Sequence, residues 1–412
     1  MSQASLSPEY YAALEQLQQG FDYYKDKSIE EQKHALDALP TTIPDTHTVN
    51  EVKLDDKFVI KSKEYIENGL KKYEDVLDEN WKCLDNGLTG EWIRLKSCKD
   101  SESVILYFFG GAFYMGCAKQ ARSMTCEIAE KTELPVFTFD YRLNPQYEFP
   151  SQICDAVAAY LYLINPGPDS EFKPIDPKKI IFAGSSAGGG LAMGTALFIR
   201  DVGLPLPAGI VSPWVDLTAS MPSYWEPEMD KTDHIPKLLV CPDLGPPCPM
   251  SIEYLERAKI VSERIKQKKP NVVGHPSFTK FPRLRLYCAN EALAIPYVSP
   301  MLAESLGNLP PILVQVGGGD RLRDSVVLLS IRASDPTKYQ IPKYATTNFE
   351  NSPFKKPTEV TLELYDDACH CFQKTLNAMA INPNCEIREF DEKFMECLKW
   401  ENIGVIPDVK DA

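Results

Sequence analysis

Long apolar runs are missing from this sequence of 412 residues. No run reaches the roughly 18 residues that a membrane-spanning helix needs, so we expect no transmembrane segment. The first residues, MSQASLSPEYYAALEQ, carry neither a basic start nor an apolar segment, which predicts no secretory signal. The twelve cysteines are therefore expected to be free thiols, and we favour a cytoplasmic location, with attachment to a membrane or lipid-droplet surface left open.

Positive charge is outnumbered by negative charge, and histidine is scarce. Lys and Arg total 44 against 58 Asp and Glu, a formal net charge of -14, which argues against nucleic acid as a partner. None of the five histidines is spaced with Cys241 and Cys248 as zinc ligands are, and no G-x-G-x-x-G follows the first sheet strand. We therefore expect no metal and no organic cofactor. A small-molecule substrate fits this composition, and the oligomeric state is left open.

The stretch KIIFAGSSAGGGLAMGTAL, residues 179–197, joins a short β-branched run to a run of helical character. Between them lies G-x-S-x-G, with Ser186 at its centre and Gly184 and Gly188 two residues away on either side. A serine nucleophile must project from a sharp strand-to-helix turn, where strand and helix cross without room for a Cβ. Ser185 lacks such neighbours, so Ser186 is the predicted nucleophile, although a Gly–Ser string alone also fits an ordinary tight turn.

The elements around this turn indicate an α/β protein. Strand-like and helical runs alternate from about residue 91 to residue 217, which is typical of a mostly parallel sheet with helices on both faces. Residues 1–84 are polar and mostly helical in character, and the alternation breaks at about 218–300 before resuming with PPILVQVGGGD. We predict a main domain over 85–412, with a cap built from the N-terminal extension and the insertion. The tail to about residue 400 is also predicted to be helical.

Only one of the five histidines follows a predicted sheet strand. His370 lies just beyond EVTLELYDDAC, at the carboxyl edge of the sheet, where the turn of Ser186 is also expected. The others fall in the extension or the insertion, namely His34, His47, His234 and His275. His370 is thus the predicted general base, although a lone histidine is more often structural. Cys369 and Cys371 beside it are interpreted as packing residues.

A carboxylate that orients this base should also follow a strand. Asp320 comes directly after ILVQVGGG and is the predicted acid. Asp324 is the rival, but its position one helical turn later is more typical of a surface or a helix start. The order Ser186, Asp320, His370 is that of α/β-hydrolases and differs from the orders in chymotrypsin and subtilisin.

Five ordered segments between about residues 104 and 373 resemble the hormone-sensitive lipase-like branch of the α/β-hydrolases. They are DYRLNPQYEFPSQICDAVAAY, GSSAGG, SPWVDLT, LPPILVQVGGGDRLRD and the final His-Cys-Phe. Within that branch the chain looks most similar to fungal steryl acetyl hydrolase-like and arylacetamide deacetylase-like members. The resemblance implies the α/β-hydrolase fold, with 85–412 as its catalytic domain.

The loop after the strand ESVILYFF departs from the pattern of this family. The family has His-Gly-Gly-Gly where this chain has Phe109-Gly110-Gly111-Ala112. By resemblance, the N–H groups of Gly111, Ala112 and Ala187 would form an oxyanion hole. An alanine keeps its N–H, so we expect the hole to survive if the φ of Ala112 is negative. Phe109 removes the polar ring that usually braces the loop.

The resemblance implies a serine carboxylic ester hydrolase that acts through an acyl-enzyme on small or medium apolar esters. Acetyl esters of sterols or other lipophilic alcohols belong to that class. The alternative is a catalytically weak hydrolase-fold protein that binds a small molecule as a receptor. The substituted loop favours this alternative, whereas the intact serine, aspartate and histidine argue against it.

Overall fold

The computed structural model describes residues 8–24, 26–83, 87–98, 101–168, 170–211, 214–236, 245–268, 283–337, 341–348 and 351–373. Within these residues, eight strands form one sheet. They are β1 (His47–Lys53), β2 (Thr89–Leu95), β3 (Val104–Phe108), β4 (Val136–Phe139), β5 (Ile180–Gly184), β6 (Gly209–Val211), β7 (Ile312–Gly317) and β8 (Val360–Tyr365). The described α-helices are α1 (Pro8–Tyr24), α2 (Ile29–Asp37), α3 (Asp56–Gly69), α4 (Arg122–Thr132), α5 (Ser151–Ile164), α6 (Ala187–Asp201), α7 (Met229–Thr232), α8 (Pro249–Lys268) and α9 (Arg323–Ser334).

The strands pair in the order β1-β2-β4-β3-β5-β6-β7-β8. The pairs β1–β2 and β2–β4 are antiparallel, and the other pairs are parallel. Parallel neighbours need crossover connections, which the intervening helices provide. The predicted α/β architecture with a mostly parallel central sheet is therefore confirmed. The segments after β5, β7 and β8 all leave the sheet at its carboxyl edge.

Local sequence explains why the central elements form where they do. The strand β3 reads VILYF and is buried along its whole length, as expected for a strand covered on both faces. The helix α6 is buried from Ala187 to Arg200 and begins with small residues, which let it cross close to β5. At the surface, α2 begins with a capping box in which Ser28 and Glu31 accept each other's backbone N–H.

The N-terminal extension is less purely helical than predicted. Residues 47–53 form β1, an edge strand that pairs antiparallel with β2 over its whole length. An alternating polar strand such as HTVNEVK, with few buried positions, gives little local signal, because its place is set by the partner strand. The division of the chain at residue 84 stays a prediction, but the sheet itself begins on the N-terminal side of that position.

The insertion at about 218–300 is bound to the end of β7 by a buried arginine. The Arg321 guanidinium donates to the carbonyls of Tyr224, at 3.1 Å, and Ile235, at 2.7 Å, and pairs with Asp230. A guanidinium that is 1% exposed needs such partners, because an unpaired buried charge is costly. The insertion also contains the predicted helix, α8, whereas Cys241 and the predicted helical tail lie outside the described residues.

The composition predicts free cysteine thiols and no transmembrane segment. The nine cysteines in the described part of the chain are all free, and five of them are buried. No helix among the described residues combines the length and apolar character needed to cross a membrane.

Candidate active site

Ser186 lies between β5 and α6 in a strained backbone conformation. Its φ is 53° and its ψ is -126°, a region that non-glycine residues rarely adopt. A Cβ on Gly184 would lie 2.5 Å from the Gly188 carbonyl carbon, and a Cβ on Gly188 would lie 2.1 Å from the Phe108 oxygen. Both distances are far below van der Waals contact, so the crossing of strand and helix requires glycine at these two positions.

We expect Gly188→Ala to destabilise the fold strongly. The added methyl would meet backbone oxygens of Phe108 and Phe109, which cannot move without disturbing β3. The cost should reach the upper range for overpacking, about 3 kcal/mol, measured as the free energy of unfolding in urea. The control is Gly20→Ala in α1, where nothing lies within 4 Å of a new Cβ. That control should gain about 0.5–1 kcal/mol, and equal losses in both variants would contradict the packing argument.

The predicted acid and base are in direct contact. Asp320 Oδ2 lies 3.0 Å from His370 Nδ1, and both side chains are buried. Because a carboxylate can only accept, Nδ1 carries the hydrogen and Nε2 remains available to take up a proton. Nε2 has no hydrogen-bond partner among the described residues. This is the arrangement in which a carboxylate fixes the tautomer of a general base.

Asp324, the rival acid, has a different set of partners. Its Oδ2 accepts the N–H of Ser223 at 2.9 Å, and its Oδ1 accepts from the Arg323 guanidinium at 2.9 Å. The bond with Ser223 fixes the first turn of α9 against the insertion. Of the two carboxylates, Asp320 is the one that contacts the His370 ring.

The electrostatic environment of His370 sets its protonation. Burial alone lowers the pKa of the imidazole, but the neighbouring Cys371 side chain and the Asp320 carboxylate outweigh burial and hold this pKa well above 6.5. A general base must be neutral to accept a proton. Activity that depends on His370 should therefore rise with pH through a midpoint above 6.5.

The topology explains how distant residues reach one edge. Ser186 follows β5, Asp320 follows β7 and His370 follows β8, which are parallel strands with β6 between the first two. The ends of β7 and β8 approach closely, since a Cβ on Gly317 would lie 1.9 Å from the Ala368 oxygen. The three predicted residues thus lie beyond the carboxyl ends of strands in one sheet, the usual place for a site in α/β folds.

The predicted oxyanion loop has an unusual backbone. The φ of Gly111 is 132° and that of Ala112 is 50°, so the condition of a negative φ at Ala112, on which the predicted survival of the hole depends, is not met. The Gly111 carbonyl accepts N–H groups of Tyr114 and Met115, at 3.0 and 2.9 Å, and this tight turn forces the chain into the left-handed region. An alanine tolerates that region at a cost of about 1–2 kcal/mol. The three predicted donors, the N–H groups of Gly111, Ala112 and Ala187, are not used in any bond between described residues.

Phe109 is braced by a tyrosine rather than by a polar ring of its own. The rings of Phe109 and Tyr141 stack with centroids 4.2 Å apart, and the Tyr141 hydroxyl donates to the Phe109 carbonyl at 2.8 Å. Burial raises the pKa of Tyr141 well above 10, so its hydroxyl keeps the proton that it donates. Gly110 lies against the nucleophile turn, because a Cβ there would lie 2.8 Å from the Ser185 oxygen. The brace therefore acts on the loop that faces Ser186.

Tyr141→Phe is expected to lower kcat, and the decrease should exceed that in a variant with a similar loss of unfolding free energy. The stack remains, but the Phe109 carbonyl loses its donor, and kcat should fall about tenfold, less than the 10²–10³ that loss of an oxyanion donor costs. The matched control is Tyr160→Phe, because Tyr160 is also buried and donates to the Pro205 carbonyl at 2.7 Å, in the linker before β6. Both variants should lose about 1–3 kcal/mol of unfolding free energy. Equal kcat values in the two variants would contradict the proposed role of the Tyr141 hydroxyl in bracing the loop.

Residues other than the three predicted ones also surround His370. Asp233, in the insertion, accepts the backbone N–H of His370 at 3.1 Å, and the rings of His234 and His370 lie 5.9 Å apart. The Tyr10 hydroxyl in α1 accepts the backbone N–H of Cys369 at 2.6 Å. No periodicity marks these residues, because they act through contacts between segments that are distant in the chain.

The cysteines beside His370 differ in their surroundings. Cys369 is buried in a small apolar cluster with Tyr10 and Phe372, which agrees with its interpretation as a packing residue. Cys371 is only partly buried, and its φ is 51°. In the described part of the chain, no group of three or more His, Cys, Asp or Glu is arranged to hold a metal ion.

Comparisons with known proteins agree with this fold. A family model described as alpha/beta hydrolase fold matches residues 105–243. An acetyl-hydrolase of Streptomyces hygroscopicus is 34% identical over 138 residues, which cover 33% of this chain and 43% of that protein. An arylesterase of Saccharolobus solfataricus is 26% identical over 231 residues, which cover 55% of this chain and 60% of that protein. The chain thus spans about half the length of the curated relatives it matches.

A crystal structure extends the likeness to the whole fold. An esterase from the bacterial hormone-sensitive lipase family aligns with a TM-score of 0.56 at 23% identity, over 92% of this chain and 94% of that one. At this identity the likeness shows the fold alone. The family model and the shared fold together show that the chain has the α/β-hydrolase fold, and its ordered motifs resemble those of the hormone-sensitive lipase-like branch.

Proposed function

We propose that this protein is a serine carboxylic ester hydrolase. The observation that carries the proposal is the buried Asp320–His370 contact, at the sheet edge where Ser186 leaves β5 in a strained turn. Ester cleavage by a serine needs a nucleophile, a base of fixed tautomer and donors for the developing oxyanion. The residues proposed for these roles are Ser186, Asp320 and His370, with the N–H groups of Gly111, Ala112 and Ala187.

The reaction follows from these roles. Ser186 Oγ attacks the ester carbonyl carbon while His370 Nε2 takes its proton, and Asp320 stabilises the resulting imidazolium. The three N–H groups hold the negative oxygen of the tetrahedral intermediate. His370 then gives the proton to the leaving alcohol, which leaves an acyl group on Ser186. Water, deprotonated by His370, then attacks that acyl group. The bond from the acyl carbon to Ser186 Oγ breaks, His370 returns the proton to Oγ, and the acid is released.

We propose small or medium apolar esters as substrates, with acetyl esters of sterols or other lipophilic alcohols as one candidate class. The relative named acetyl-hydrolase supports a short acyl group, and the relative named arylesterase supports ester hydrolysis without bearing on acyl length. The Ala112 methyl in the oxyanion loop also favours them, because it narrows the space beside the predicted donors for the acyl chain. A cytoplasmic location remains part of this proposal.

A fluorophosphonate probe and a panel of p-nitrophenyl esters from acetyl to decanoyl test the proposal. We expect covalent labelling of Ser186, identified by peptide mass, and the highest kcat/KM for the short esters. Pure folded protein that is neither labelled nor active on any ester would reject hydrolysis. Labelling of Ser186 together with the highest kcat/KM on the decanoyl ester would support ester hydrolysis but reject the proposed range of acyl groups.

A small-molecule binding protein is the second candidate. The observation that favours it is the positive φ of Ala112, because a strained alanine replaces the glycine of the family at the predicted oxyanion hole. A receptor of this kind would bind an ester without turning it over. Absence of labelling, together with stoichiometric binding of an intact ester, would favour this candidate.

A further inference from the structure

Asp233 is a buried carboxylate at the end of α7 that holds two separate loops. Its Oδ1 accepts the backbone N–H groups of His370, at 3.1 Å, and His234, at 2.8 Å. Its Oδ2 accepts the backbone N–H of Arg321 at 2.9 Å. His370 is the predicted base, and Arg321 directly follows the predicted acid. One side chain from the insertion therefore binds both loops of the acid–base pair.

This arrangement bears on the hydrogen bond between Asp320 and His370. The two residues are 50 positions apart in sequence and lie on loops after different strands, so their separation depends on how those loops are held. Asp233 fixes the backbone of one loop at the base itself and that of the other loop one residue after the acid. A shift of either loop would lengthen the 3.0 Å contact between Nδ1 and Oδ2.

The segment that presents Asp233 is itself fixed on several sides. The Thr232 hydroxyl donates to the Gly319 carbonyl at 3.0 Å, next to Asp320. From α1, the Gln18 side-chain amide donates to the Asp233 carbonyl at 2.9 Å. The Arg321 guanidinium donates to the Ile235 carbonyl. Asp233 thus acts from a fixed position, which a positioning residue requires.

Placing a second carboxylate near Asp320 has an energetic cost. Burial, and after it the charge of Asp320, raise the pKa of Asp233 to about 6. His370 and the two backbone N–H groups of Arg321 and His370 act in the opposite direction. Simple packing would favour an apolar side chain here, because a well-packed hydrophobic residue avoids the desolvation of a charge. The carboxylate supplies acceptors in two directions at once, which an apolar residue cannot do.

We propose that Asp233 is a positioning residue of the triad, which holds the loops of Asp320 and His370 in register through their backbone N–H groups. The proposal rests on the proposed ester hydrolysis. Asp233 touches neither the substrate nor the reacting atoms, and it acts through His370. Its removal should therefore slow the chemical step and leave substrate binding nearly intact.

The test is Asp233→Asn, with Asp230→Asn as the matched control. An amide can place its oxygen toward only one of the two loops, so the other loop loses its acceptor. We expect kcat on p-nitrophenyl butyrate to fall about 10–100-fold with KM nearly unchanged, as for other small misplacements of a catalytic group. Asp230 lies in the same segment, and its side chain is half exposed and pairs with Arg321. As Asn, its amide oxygen can still accept from the Arg321 guanidinium, which also keeps the Tyr224 and Ile235 carbonyls. Its variant should stay within about threefold of wild type.

A spectroscopic readout separates positioning from mere stability. The Nδ1 proton shared by His370 and Asp320 should give a low-field proton resonance that persists in Asp230→Asn and is weakened or shifted in Asp233→Asn. If Asp233→Asn fails to fold, Asp233→Ser, which removes the buried charge, carries the same expectations. A folded Asp233 variant with wild-type kcat and an unchanged resonance, whatever its melting temperature, would overturn the proposal.

Failure of the proposed function gives a different result. In that case the wild-type protein itself would neither turn over esters nor label with a fluorophosphonate. The resonance would still report whether Asp233 sets the geometry of the His370–Asp320 pair. An unchanged resonance would then overturn positioning, and a lost one would support it independently of ester hydrolysis.

Discussion

Ser186→Ala is expected to lower kcat for p-nitrophenyl butyrate by about 10⁶-fold, the order of magnitude found when a serine hydrolase loses its nucleophile. Without Oγ there is no atom to form the acyl-enzyme, and the remaining oxyanion donors can assist only the direct attack of water. KM should change little, because the side chain contributes little to ground-state binding. Fluorophosphonate labelling should disappear completely.

The neighbouring serine provides the matched control. Ser185 Oγ accepts a hydrogen bond from the Tyr107 hydroxyl at 3.1 Å, and its φ is not in the left-handed region. Ser185→Ala should therefore keep kcat within about threefold and retain labelling. If Ser185→Ala lost labelling and Ser186→Ala retained it, Ser185 would be the nucleophile. Melting curves of both variants would show whether the turn remains folded.

Part of this site could be predicted from sequence because its signals are local. The turn of Ser186 needs glycine two residues away on both sides, and that need follows from the crossing of one strand with the next helix. Asp320 and His370 each follow a strand whose apolar run is visible in the sequence. Parallel pairing then brings the strand ends to one edge of the sheet. The order of the three residues in the sequence and the topology of the parallel sheet are sufficient to predict them as site residues.

The supporting contacts could not be predicted in this way. Asp233 reaches His370 across 137 positions of sequence, and Tyr10 reaches Cys369 across 359. Such pairs leave no periodicity, since each is a single contact between irregular or distant segments. The positive φ of Ala112 is equally hard to predict, because a tight turn closed by the Gly111 carbonyl overrides the ordinary preference of alanine. The sequence thus indicates candidate reacting groups, and the structure adds the contacts that hold the segments carrying them.

The contact of Asp320 with His370 predicts two effects of Asp320→Asn. The amide can present its NH₂ group to Nδ1 and so favour the wrong tautomer, in which Nε2 carries the hydrogen. We therefore expect kcat to fall about 10⁴-fold, as when the carboxylate of a serine protease triad is replaced by an amide. Folding should be affected less, because the amide oxygen can still accept the Leu322 N–H that Asp320 Oδ1 accepts at 2.8 Å.

The residual activity of Asp320→Asn should also have a different pH profile. In the wild type, Cys371 and the Asp320 carboxylate outweigh burial and hold the pKa of His370 well above 6.5, so kcat/KM should rise with pH through a midpoint above that value. Burial lowers the pKa of His370, whereas the Asp320 carboxylate raises it. Without the carboxylate this pKa should fall, so the midpoint moves to lower pH. Asp324→Asn is the control, because Asp324 is a nearby buried carboxylate whose partners are Ser223 and Arg323 rather than His370. It should keep the wild-type midpoint, and kcat should stay within about threefold. A shifted midpoint and a 10⁴-fold loss in Asp324→Asn instead would make Asp324 the acid of the triad.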